Sequence, residues 1–328
     1  LSGRANVITT RSVVIDGRTA EWNPRTGRWS LEGITLLPGI NRLLVRALDE
    51  NGEEAERAYV DVWNNAGGVQ DITEAIDTDT TWTTATGPYR ISGNVTLARD
   101  AVLTIEPGTT VFFAPGAQLT IRGQLIAEGR EQQQIHFTRM PGVGGTWNGL
   151  QFSGSRNDNR IHYAALEYGV TDDGLIGLQN SQLELDHVTL DHTDLRRIRS
   201  INSSLVVRNS VFTDIFAPGQ APTTDNRSEH IWGQGIPADG QFVIENNVFG
   251  HITGHNDSID FDAPRLPNPI PQILNNVFVG GGDDALDLTG DAYIEGNLFQ
   301  NFQKDQFNTD PGQSNVISAS GGLYTVVR

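Results

Sequence analysis

The 328-residue chain carries 40 Asp and Glu against 23 Lys and Arg, giving a net charge of −17, and it has no cysteine. That balance excludes a phosphate-backbone partner, which needs a basic surface, so nucleic acid is not an expected ligand. There can be neither a disulfide nor a thiolate metal site, and no apolar run reaches the ~18 residues of a membrane span.

Helical periodicity is nearly absent, and short alternating runs bounded by Gly, Asn, Asp and Pro predict an all-β chain. Residues 1–65 read as one β domain. "SVVIDGRTAEWNPRTGRWSLEGITLLPGINRLLVRALDENGEEAERAYVDVW" gives short strands joined by Asp-Gly, Thr-Gly, Pro-Gly and Asn-Gly turns, as hairpins and sandwiches require. "NNAGGVQ" (64–70) reads as a connection, and residues 66–86 are assigned to linker and cap.

From 87 to 328 the chain repeats itself. "LTIEPGTTVFFAPGAQLTIRGQLIAEG" runs strand, Pro-Gly turn, strand, Pro-Gly turn, strand. Further on a phrase recurs as "RNSVFTDIF", "NNVFGHITG", "NNVFVGGGD" and "GNLFQNFQK", anchored on Asn209, Asn247, Asn276 and Asn297. Units of ~20–30 residues made of short strands are coils of a parallel β-solenoid. Asparagine recurring at one corner predicts a buried ladder that also tolerates a left-handed backbone. Insertions at 215–241 and 263–272 are placed to build a binding face, with the loop 216–232 as its wall.

Residues 1–65 resemble the bacterial immunoglobulin-like modules of secreted proteins, through "VVIDG", "LLPGINRLLVRALDENG" and "AYVDVW". Residues from about 75 onward resemble the right-handed parallel β-helix superfamily of pectate lyases and polygalacturonases. "LTIEPGTTVFF", "LTIRGQLIAEG", "IHFT" and "GTWNGLQF" carry that likeness, with Trp147 in a core-turn role. Together they imply a right-handed parallel β-helix (solenoid) behind a small N-terminal immunoglobulin-like β-sandwich, secreted or on the cell surface. The sequence starts at Leu1 without a leader and stops in a strand-like "GGLYTVVR", so the natural chain is expected to continue at both ends.

Two stretches, "HNDSIDFDAP" (255–264) and "GGGDDALDLTG" (280–290), superimpose as consecutive coils. Asp257 falls on Asp284, Ile259 on Leu286 and Asp260 on Asp287. "SEHIWGQG" fits one coil earlier, with Glu229 on Asp257 and Trp232 on Asp260. Alternation sends the apolar residues inward and the acids outward, with coils ~4.8 Å apart. Carboxylates stacked so closely must be protonated, bind a cation or pair with arginine. Hard oxygen ligands without sulfur suit Ca²⁺, with Glu229, Asp257, Asp260, Asp284 and Asp287 as candidate ligands. Solvated surface acids are the alternative.

The resemblance implies two chemistries. In the hydrolases an Asn-x-Asp on one coil and an Asp-Asp on the next do acid–base work, which would fall to Asp257, Asp283 and Asp284. The hydrolase Gly-His-Gly and Arg-x-Lys are missing after Asp284. In the lyases Ca²⁺ neutralises a uronate while a Lys or Arg abstracts the α-proton, which would fall to Lys304, the one lysine, or Arg265. His230, Trp232, His255 and Arg265 are candidate sugar-binding residues. His187 and His192, five residues apart on one strand, make poor metal ligands. The chain therefore reads as a protein that binds, and in the resembling enzymes would cleave, an acidic polysaccharide or cell-surface glycan. The rival is a non-catalytic structural or adhesion module with a purely structural cation.

Overall fold

The computed structural model describes residues 1–328 except 217, 218, 220, 223–226, 310, 313 and 323. Every regular element among the described residues is a strand. Two small antiparallel sheets come first. One is three-stranded, in the order Ser2–Arg4, Arg28–Ser30, Glu21–Asn23. The other is four-stranded, in the order Arg18–Thr19, Ser12–Ile15, Gly39–Leu48, Glu54–Asn64. Val13, Ile15, Trp29, Leu31, Leu43 and Val45 close a core between them.

Among the described residues, every strand pairing after this is parallel. Strands pair with strands roughly one coil away, in one 18-stranded and one 9-stranded sheet, as a β-helix-like solenoid requires. The first parallel strands, Gln70–Ile72 and Thr80–Trp82, already fall inside the segment assigned to linker and cap. One continuous apolar core runs from Ile76 to Ile294. Within it Phe212, Phe249, Phe278 and Phe299 stack at centroid spacings of 4.5, 4.6 and 5.0 Å. Each such pair contributes about 0.5–1.5 kcal/mol beyond its burial. Trp147 has the expected core role, stacked on Phe113 at 3.9 Å with its indole N–H donating to Glu167 O.

The asparagine ladder exists, with one correction. Asn247 Nδ2 donates to Asn276 Oδ1 at 3.0 Å, and Asn276 Nδ2 to Asn297 Oδ1 at 2.9 Å. Their backbone N–H groups donate to the same oxygens. The fourth rung is Ser210 rather than Asn209, its N–H donating to Asn247 Oδ1 at 2.9 Å. Asn209 instead takes the left-handed corner at φ 49°, as Asn246 and Asn275 do at 57° and 54°. One residue cannot both turn the corner and aim its amide inward, so adjacent residues divide the two tasks.

The N-terminal sheets lean on the solenoid through polar contacts. Ile40 N–H donates to Thr110 Oγ1, and Arg42 bridges Asp61 and Glu167 at 2.7 and 2.9 Å.

Candidate functional site

The 9-stranded sheet stacks Ile198–Ile201, Ile231–Gln234, Ile259–Asp262, Leu286–Thr289 and Ile317–Ser320 in that order. Ile231 pairs with Ile259, Ile259 with Leu286, and Leu286 with Ile317. The inward residues Ile259, Phe261, Leu286 and Leu288 are at most 1% exposed. The outward row therefore reads Arg199, Trp232, Asp260, Asp287, Ser318. The superposition drawn from the sequence is the register of the sheet.

Just ahead of these strands the turns deliver the acids. Ligand oxygens of Asp257, Asp283 and Asp284 all lie within 4.8 Å of one another. Asp283 and Asp284 are buried, at 6% and 7% exposure. Asp257 Oδ1 accepts the N–H of Asp284 at 3.0 Å, and Asp284 Oδ1 accepts the N–H of Asn315. His255 Nε2 lies 3.4 Å from Asp283 Oδ2. Burial, reinforced by Asp283, Asp284 and Asp287, pushes the Asp257 carboxyl up to about 9. Burial also lifts Asp260 to about 7, with Glu229, Asp287 and Asp262 adding to it and Arg196 opposing. Asp287 is raised by burial and then by Asp284, against a hydrogen bond from Ser318.

Three carboxylates whose oxygens converge within 4.8 Å offer hard ligands of the kind a divalent cation takes.

The remaining candidates separate. Glu229, 1% exposed, is held by Arg196 Nη2 at 3.0 Å and stands outside the three-aspartate group. Its charge therefore has an internal counter-ion. His230 is corrected from sugar contact to core residue. It is fully buried, with Phe212 and Phe249 at 5.6 Å, Nδ1 accepting from Arg197 Nη1 and Nε2–H donating to Gly250 O. No sugar on the outer face can reach it. Trp232 does face outward, with the guanidinium groups of Arg196 and Arg199 over its ring at 4.8 and 5.5 Å. Arg265 follows the opposite end of the strand that begins after Asp257, close to Gly321. Lys304 is exposed, and its ammonium donates to Gly312 O at 3.1 Å. The loop 216–232 lies partly outside the described residues, so its wall role has no structural account.

Sequence reasoning missed Arg196 and Arg199. Extending the alignment one more coil, to "LRRIRS", would have found them, since Ile198 pairs with Ile231. It also missed a second convergence, Glu167, Asp191 and His192. Those acids already have partners: Glu167 takes Arg42 and Thr138, and Asp191 takes Thr213 and His192. His187 and His192 instead stack on Tyr163 and Tyr168 of the preceding coil, both at 4.4 Å. No family model matches the chain, and neither a curated protein nor a solved structure matches it.

Proposed function

We propose that the chain is a secreted or cell-surface right-handed β-helix, pectate lyase and polygalacturonase-like, behind an immunoglobulin-like domain at residues 1–65. In this reading it binds Ca²⁺ at Asp257, Asp283 and Asp284 and holds an acidic polysaccharide along the outer row from Arg199 to Asp287. The observation that carries it is the convergence of three carboxylates within 4.8 Å at a depth where Asp257 otherwise keeps its proton. A divalent cation removes that conflict and leaves coordination positions for a sugar carboxylate. Trp232, flanked by Arg196 and Arg199, supports the sugar reading, because an aromatic body with adjacent guanidinium groups suits a ring bearing a carboxylate.

A second reading keeps the cation and drops the ligand. Asp257 and Asp284 each accept a backbone N–H from the following coil, so a cation there would also clamp coil to coil. Calorimetric titration with Ca²⁺ tests the metal: heat in the wild type, lost in Asp257→Asn and Asp284→Asn, is the expected result. Absence of heat together with a melting temperature indifferent to EDTA would sink it. Polyuronate binding that Trp232→Ala weakens about tenfold supports the sugar face. Binding untouched by that change leaves the clamp. New reducing ends, or an unsaturated product absorbing in the ultraviolet, would add turnover to either reading.

A further inference from the structure

The three-stranded N-terminal sheet presents a second charged surface. Its register places Gly3, Trp29 and Trp22 in one cross-strand row, and the two tryptophans pack in the N-terminal core. Successive residues of a strand point to opposite faces, so the other face carries two rows, Ser2–Ser30–Glu21 and Arg4–Arg28–Asn23. These six residues, together with Gly3, Trp22 and Trp29 between them, line an open depression of about 560 Å³.

Arg4 stands directly opposite Arg28. Like charges so placed destabilise a sheet unless something offsets them. Several arginines in the chain are answered by carboxylates: Arg57 has Glu54, Arg90 has Asp71, Arg160 has Asp158 and Arg208 has Glu245. Among the described residues, Arg4 and Arg28 have no such ion pair. Two guanidinium forks side by side suit bidentate carboxylates. Ser2, Ser30 and Asn23 add hydroxyl-matching donors and acceptors around them. Glu21 works against a dense polyanion, and the net charge of −17 works against an anionic membrane. A polymer with carboxylates spaced among hydroxyls meets these limits. We infer that this sheet face is a second, metal-independent site for an acidic polysaccharide, with Arg4 and Arg28 taking its carboxylates. It shares with the reading above only the class of polymer and stands whether or not the aspartates bind Ca²⁺.

The test uses the full chain in EDTA, with polygalacturonate as probe and its methyl-esterified form as the uncharged match. Wild type should bind the acid form at least about tenfold more tightly than the ester, and Arg4→Ser with Arg28→Ser should lose about tenfold or more. Glu21→Gln should tighten binding about threefold. The inference is overturned if EDTA abolishes wild-type binding. It is also overturned if the folded double-serine variant binds like wild type, or if phosphatidylserine vesicles bind the arginines as tightly as the polymer. Should the double variant fail to fold, Glu21→Gln decides: unchanged or weaker binding overturns the proposal. Intact binding in EDTA beside a missing Ca²⁺ response would remove the metal reading alone.

Discussion

Raising the pH of the calcium-free protein should destabilise it, and Asp257 sets the scale. Its carboxyl ordinarily titrates at 3.8 and in the fold at about 9, chiefly because it is buried. Between those values the native state binds a proton that the unfolded state has released. The stability from this group is therefore fully present below pH 3.8 and declines as pH rises toward 9. The slope is about 1.4 kcal/mol per pH unit, so some 4 kcal/mol is lost by about pH 7. Asp257→Asn keeps an oxygen for the Asp284 N–H and cannot ionise, so it removes this slope. The assay is urea denaturation in EDTA at a series of pH values from about 5 to about 8, read as wild type minus variant. Subtraction cancels carboxylates with the opposite trend, such as Asp71 and Asp158, which Arg90 and Arg160 hold low. Saturating Ca²⁺ should flatten or invert the wild-type slope, because the cation takes the proton's place. Parallel pH profiles for the two proteins in EDTA would refute the reasoning.

Two further outcomes follow from the same coordinates. Glu229→Gln should cost about 3 kcal/mol by stranding the nearly buried Arg196 charge, with Ca²⁺ affinity unchanged; a large loss of affinity would make Glu229 a ligand after all. Asn276→Ala should cost about 2–4 kcal/mol, since it unpairs buried groups on two neighbouring coils, whereas Asn275→Gly at φ 54° should be nearly neutral; denaturation midpoints that rank the two the other way would contradict the division of labour at the corner.

How much of this was legible depended on what separates a residue from its strand. Asp257 and Asp284 sit two residues ahead of Ile259 and Leu286 with nothing inserted, so the two stretches could be laid on each other by eye, and the register agrees. Glu229 also aligned, but its partner Arg196 comes from a coil 33 residues earlier, across an insertion, and charge patterning over short windows cannot see it. His230 failed for a different reason. Strand alternation would turn the residue before Ile231 outward, yet the chain is still cornering there, and Arg197, His230, Ser258 and Ala285 all enter the core beside an inward isoleucine or leucine. Period-two reasoning holds inside the strand and lapses at the residue just ahead of it. Asn209 and Ser210 lapse in the same way at another corner.

Stacking acids on acids is a consequence of repetition, and successive coils answer it differently. Glu229 is neutralised by an arginine from the coil before it. Asp260 lies next to Trp232 on one side and Asp287 on the other, with Arg196 opposing its rise but forming no ion pair with it among the described residues, and its carboxyl rises to about 7. Asp257 has moved further from arginine and has Asp283 and Asp284 on the next turn, and it rises to about 9. The row thus runs from an internal counter-ion at Glu229, through shared charge at Asp260, to Asp257, whose raised carboxyl has Asp283, Asp284 and Asp287 as its main charged neighbours. A cation bound as proposed would sit at the Asp257 end of this row, among Asp257, Asp283 and Asp284. Near neutral pH it must displace a proton bound about two pH units below its release point, which lowers affinity about a hundredfold. Its affinity should therefore climb about tenfold per pH unit toward pH 9, and the wild type should bind Ca²⁺ most tightly under the conditions where, without it, it is least stable.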